Sequence, residues 1–120
     1  HFGMIFFAER FDRWKRRLVP ATPANRAVAI EYARGRETAF QTLVYDSLEA
    51  ALVTEDVDTV FLLTDGAPGS GKFVDAADIV REIGRINASR RIKINTIALG
   101  GDRPLLEDLA ASSGGRYVRP

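Results

Sequence analysis

Residues 2–8 are apolar throughout apart from Gly3, a pattern that reads as a buried strand, although a run this short also suits a buried helix. Residues 10–17 are basic, with Phe11 and Trp14 set among the charges, and Leu18 and Val19 follow. This stretch reads as an exposed second strand returning on the first as a hairpin, its charge discouraging edge-to-edge pairing; a nucleic-acid patch is the other reading. Trp14 with Phe11 reads either as an exposed binding anchor or as aromatic packing against a helix. Thr22 followed by Pro23 supplies a capping hydroxyl and then a proline at the first helical position, predicting a helix that runs to about Tyr32. Residues 34–41 read as loop. A second helix is expected to begin near Thr42, with Val44, Leu48, Ala51 and Leu52 on one face.

Val57 to Thr64 gives the clearest strand. Its centre, Val60 to Leu63, is apolar without alternation, as expected for a strand covered on both faces. It ends in the turn pair Asp65-Gly66, and the glycine-rich residues 67–72 read as loop. Val74 to Asn87 predicts an amphipathic helix with Ala76, Ile79, Val80, Ile83 and Ile86 on one side. Ile92 to Leu99 predicts another strand, closed by Gly100-Gly101. Asp102 and Pro104 start a short helix carrying Leu105, Leu106, Leu109 and Ala110, which Gly114 and Gly115 stop, and Tyr117-Val118 is a last short strand. Strands alternating with helices imply a three-layer α/β, Rossmann-like fold, mostly parallel, with one antiparallel edge strand.

Length and composition narrow the picture only a little. The 120 residues suit one domain, and 46% hydrophobic with 28% charged residues is ordinary for a globular chain. A formal net charge of +1 argues for neither a nucleic-acid partner nor an anionic membrane. No apolar run approaches the roughly 20 residues that span a bilayer. The chain has no cysteine and a single histidine, His1, which leaves no zinc cluster, no disulfide and no histidine-based triad. A start at His1 without an initiator methionine suggests a piece of a longer protein.

Two loops carry candidate chemistry. In open α/β sheets ligands bind outside the carboxyl ends of the strands, where Asp65 is placed and where Thr42 is expected in a neighbouring loop. A carboxylate and a hydroxyl there are hard oxygen ligands suited to Mg²⁺; equally, Asp65 serves a turn and Thr42 a helix cap. The second loop, Gly66 to Lys72, fits Gly-x-x-x-x-Gly-Lys between a strand and a helix. As a phosphate loop, Gly66 and Gly71 would open the backbone to phosphate and Lys72 would reach its terminal oxygens. Against this, Phe73 stands where a magnesium-holding hydroxyl is needed, and Gly-Ser-Gly is also what a flexible loop contains.

Several segments together resemble the von Willebrand factor A (vWA) family. Leu62-Leu63-Thr64-Asp65-Gly66-Ala67-Pro68 is similar to the family segment ending in a metal-coordinating aspartate. Thr42-Leu43-Val44-Tyr45-Asp46-Ser47-Leu48 is similar to one whose threonine is a metal ligand. Ile94 to Gly100, Leu106 to Ala110 with Ser113 to Val118, and Phe2 to Phe7 resemble the family's later strand, last helix and strand, and second strand, in the right order. The resemblance implies a protein-binding module rather than an enzyme. Its partner would be engaged through a metal-ion-dependent adhesion site, with Thr42 and Asp65 as carried-over ligands of Mg²⁺, Mn²⁺ or Ca²⁺. Asp46 aligns just beyond the threonine, where an acidic residue also suits the first turn of a helix.

Two departures shape the expectations. The family's Asp-x-Ser-x-Ser motif, which ends its first strand and supplies three more groups to the metal, does not occur, and Leu43 stands where asparagine is common. The absent strand would lie between the strands at 2–8 and 58–64. The expectation is therefore a partial vWA domain over 1–120, completed by residues upstream, with weak or no metal binding by itself. Exposed strand edges would invite homodimerisation. A metal-free interaction domain would read the same over these residues.

Overall fold

The computed structural model describes residues 1–36, 42–65, 67–100 and 104–120. Across them the chain forms β1 (Ile5–Phe7), β2 (Phe11–Arg13), α1 (Pro23–Arg34), α2 (Val44–Leu52), β3 (Thr59–Thr64), α3 (Ala76–Arg90), β4 (Lys93–Ala98), α4 (Pro104–Ser113) and β5 (Tyr117–Val118). The predicted order of elements is present; Gly66, Gly101, Asp102 and the end of the predicted 34–41 loop lie outside the described residues.

Local chemistry explains the boundaries. Thr22 Oγ1 accepts a hydrogen bond from the Asn25 N–H at 3.1 Å, and Pro23 fills the first helical position of α1. Asp75 caps α3 in the same way, accepting from the Asp78 N–H at 3.2 Å. At the far end of α3, Arg91 takes a left-handed conformation with φ of 55°. The buried Asn87 side chain then grips both backbone groups of Ile92, its Oδ1 accepting at 2.8 Å and its Nδ2 donating at 2.7 Å. A polar residue is thus buried with its groups matched, and it sets the turn from α3 into β4.

Strands β3, β4 and β5 form a parallel sheet in that order, with Leu62 opposite Thr96 and Ile97 opposite Val118. Gly115 lets α4 turn into β5 close against the sheet: a Cβ there would collide with the Ile94 carbonyl. The core lies on one face of this sheet. Leu62, Ile94 and Ala98 face Val44, Leu48 and Leu52 of α2, Ile79 and Ile83 of α3, and Leu105, Leu106 and Leu109 of α4. Thr96 is fully buried there, its hydroxyl donating to the Leu106 carbonyl at 2.7 Å.

The opposite face corrects one expectation. Burial alternates along β3: Leu62 and Thr64 are buried, but Phe61 is 66% and Leu63 48% exposed. The apolar run gave no alternation because both faces are apolar, yet α2, α3 and α4 pack on one of them. Leu99 and Val118 extend the exposed apolar surface.

Strands β1 and β2 form a separate antiparallel ribbon, with Phe6 opposite Asp12, extended by a bridge between Phe2 and Val19. Trp14 is buried and stacks on Phe2 at 5.4 Å, so it is not an exposed anchor. Helix α1 meets the ribbon through Tyr32 and Phe6. The ribbon and the three-stranded sheet both rest on α2 but are separate sheets. No described helix is long and apolar enough to cross a membrane.

Candidate functional site

Helix α2 begins where three loops meet. The Leu43 N–H donates to the Ala8 carbonyl at 3.1 Å, tying the start of α2 to the end of β1. The Gly69 N–H donates to the Thr42 carbonyl at 3.1 Å, tying it to the loop after β3. The Leu99 N–H donates to the Thr64 carbonyl at 2.9 Å, joining the ends of β3 and β4 beside Asp65. The loops that carry Thr42 and Asp65, separated by 22 intervening residues, are thereby held at one edge of the molecule.

Thr42 does not cap the helix. The N-cap is Leu43, which makes no side-chain cap, so the capping role weighed for the threonine hydroxyl falls away. Asp65 is exposed and engaged by a neighbour. Close by in the same loop, the Ser70 hydroxyl is buried with no hydrogen-bond partner among the described residues, an arrangement that costs free energy unless a ligand or water completes it.

The glycine-rich loop is fastened to α2 by carboxylates. Asp46 Oδ2 accepts the Lys72 N–H at 3.1 Å, and the Lys72 ammonium lies 2.6 Å from Glu49 Oε1. Glu49 also accepts from the Tyr45 hydroxyl at 3.0 Å. The Lys72 hydrogen bond is the chief cause that holds the Glu49 carboxyl below its ordinary range, and the same bond raises Lys72. Burial, reinforced by Glu49, pushes Tyr45 up to about 12. Gly71 has φ of 105°, and a side chain there would strike Asp46 and Leu43, so the loop passes hard against the helix.

This geometry weighs against the phosphate-loop reading. Gly66 lies outside the described residues. Gly71 serves loop packing, and Lys72 is directed at carboxylates rather than at an open anion site. Helix α3 begins only at Ala76, where the Asp75 carboxylate already occupies the N-terminus. Asp46 and Glu49 share one side of α2 at helical spacing, but their common target, Lys72, lies 26 and 23 residues away in sequence. Local pattern therefore revealed only the acidic first turn.

No family model matches the chain. The human von Willebrand factor A domain-containing protein 3A is 30% identical to it over 123 aligned residues, covering 99% of this chain. The chain is a vWA-like α/β domain. It spans about 10% of that relative's length.

Within this vWA-like domain the resembling segments fall as expected. The segment from Thr42 leads into α2, Leu62 to Asp65 ends β3, Ile94 to Gly100 covers β4, and Ser113 to Val118 joins α4 to β5. As a cation site the edge is matched in kind but not in number. Thr42 and Asp65 offer hard oxygens, and the orphaned Ser70 hydroxyl adds an unmatched polar atom nearby. Among the described residues, however, no group of three or more histidine, aspartate or glutamate side chains could hold a metal ion.

Proposed function

We propose that this vWA-like domain is a protein-recognition module, not an enzyme, whose contact point is the loop edge where β1, α2, β3 and β4 converge. The observation that carries the reading is the Gly69-to-Thr42 hydrogen bond, which joins the loops of the two candidate ligands. A divalent cation, Mg²⁺ first, would be held by the Thr42 hydroxyl and the Asp65 carboxylate. Its role would be to present a positive centre to a carboxylate of the partner. Water and residues upstream of His1 would supply the remaining oxygens.

The separation of the β1–β2 ribbon from the β3–β4–β5 sheet supports this. Both rest on α2, and an additional strand running between them would join the two sheets. Such a strand, from upstream in the native protein, would end at the same loop edge and bring further ligands there. A metal-free interaction domain is the second reading, favoured by the lack of a three-acid cluster among the described residues.

The deciding experiment is calorimetric titration with Mg²⁺ and Mn²⁺ of this chain and of the native protein extended upstream by about one strand and one helix. The expected result is binding by the longer protein, lost in Asp65→Ala and weakened in Thr42→Ala, with little or none by the 120 residues alone. Absence of binding in both overturns the metal reading and leaves the metal-free domain.

A further inference from the structure

At the far end of α2 from Thr42, about 13 Å away for a nine-residue helix, a second site presents different chemistry. A cleft of about 560 Å³ is lined by Arg13, Arg16, Arg17, Val53, Thr54 and Glu55. We propose that this cleft binds an acidic peptide, through carboxylates seated on the arginines. It lies away from the cation edge and stands or falls independently of it.

Three features carry the assignment. First, Arg13 is fixed before any ligand arrives. Its Nη1 donates to Thr54 Oγ1 at 2.6 Å and its Nη2 to the Ala50 carbonyl at 3.0 Å, so the guanidinium plane is held against the end of the helix. Arg90 donates to the Thr54 carbonyl at 2.9 Å, adding a fourth guanidinium to the same helix end. Preorganised guanidinium groups bind carboxylates with less loss of freedom than mobile ones.

Second, two arginines remain largely uncommitted. Arg16 makes no hydrogen bond or ion pair among the described residues. Arg17 reaches Glu55 only at 3.9 Å, with both side chains more than three-quarters exposed, so that pair is weak and readily exchanged. Among the described residues, Glu55 is the one carboxylate lining a cleft with three arginines.

Third, the surroundings select a peptide over a nucleic acid. Trp14, the aromatic nearest these arginines in sequence, is buried against Phe2 with Lys15 over its ring at 5.5 Å, so it offers no face to a base. The net charge of +1 supplies no broad field for a polyanion. Val53, 61% exposed, gives the wall an apolar surface for a peptide's side-chain stems.

The test uses the full chain and a fluorescein-labelled poly-glutamate peptide, followed by anisotropy at low ionic strength. In the double variant Arg16→Glu/Arg17→Glu, whose side chains carry no core packing, affinity should fall roughly tenfold or more. The double variant Lys93→Glu/Arg116→Glu makes the same change in net charge elsewhere and should bind like the parent. Circular dichroism of both variants should match the parent. Equal losses in the two variants would show a diffuse charge effect and overturn the site. So would no binding by the parent, or tighter binding of an oligothymidylate than of the peptide.

Discussion

Tyr45 shows how one buried residue ties the loop edge together. Its ring meets Phe73 edge-on at 4.7 Å while its hydroxyl donates to Glu49, which in turn holds Lys72. Burial disfavours the phenolate, and the neighbouring carboxylate adds to that, so the group titrates near 12 instead of 10.0. Because the folded-state value is raised, the contribution of neutral Tyr45 to stability is fully present below pH 10 and is lost as pH rises toward about 12. A tyrosinate absorbance titration of the chain minus that of Tyr45→Phe should show one group ionising well above the usual tyrosine range. A difference curve centred at the ordinary value would refute the buried pairing. At this scale the sequence marked Asp65 and Thr42 as candidates through their motif segments, and it showed Asp46 as an acidic first-turn residue. It could not show that Glu49 faces Lys72, because nothing in local spacing relates residues 23 positions apart.

Among the elements, the helices were the most legible. Their apolar residues recur with helical period and their ends carry recognisable caps. Helix α4 buries Leu105, Leu106, Leu109 and Ala110, the four apolar residues the sequence places on it. Helix α3 was misplaced by a few residues, starting at Ala76 instead of Val74 and ending at Arg90 instead of Asn87. The cap is Asp75, and Asn87 lies within the helix while its side chain holds Ile92. Asp75→Ala should therefore cost about 1 kcal/mol in urea unfolding by removing the acceptor for the Asp78 N–H. Unchanged stability would mean that another group satisfies that end. The β2 strand was read from a basic stretch and is only three residues long, and most of that stretch makes turns and arginine contacts instead.

Over the whole molecule the bare sheet face dominates. Phe61, Leu63, Leu99 and Val118 form an exposed apolar group beside β3 and β5, the edge strands of the sheet. Such a surface with open strand edges favours association. Sedimentation velocity of the 120-residue chain should show dimers or larger species growing with concentration. Phe61→Lys/Leu63→Lys should return it toward monomer while leaving the thermal midpoint little changed, since both side chains are already largely in water. A strictly monomeric parent at high concentration would contradict this.

By itself the sequence determined the order and type of the elements, the helix faces that build the core and the vWA-like character of the chain. All of these are written in short-range periodicity, caps and motif segments. Only the tertiary structure decided which face of β3 is covered, that the ribbon and the sheet stand apart on α2, and that Lys72 meets two carboxylates of α2. The physical reason is common to all three. An apolar run records that burial is favourable without naming the neighbour that provides it, and a charged side chain takes its role from partners that folding brings beside it.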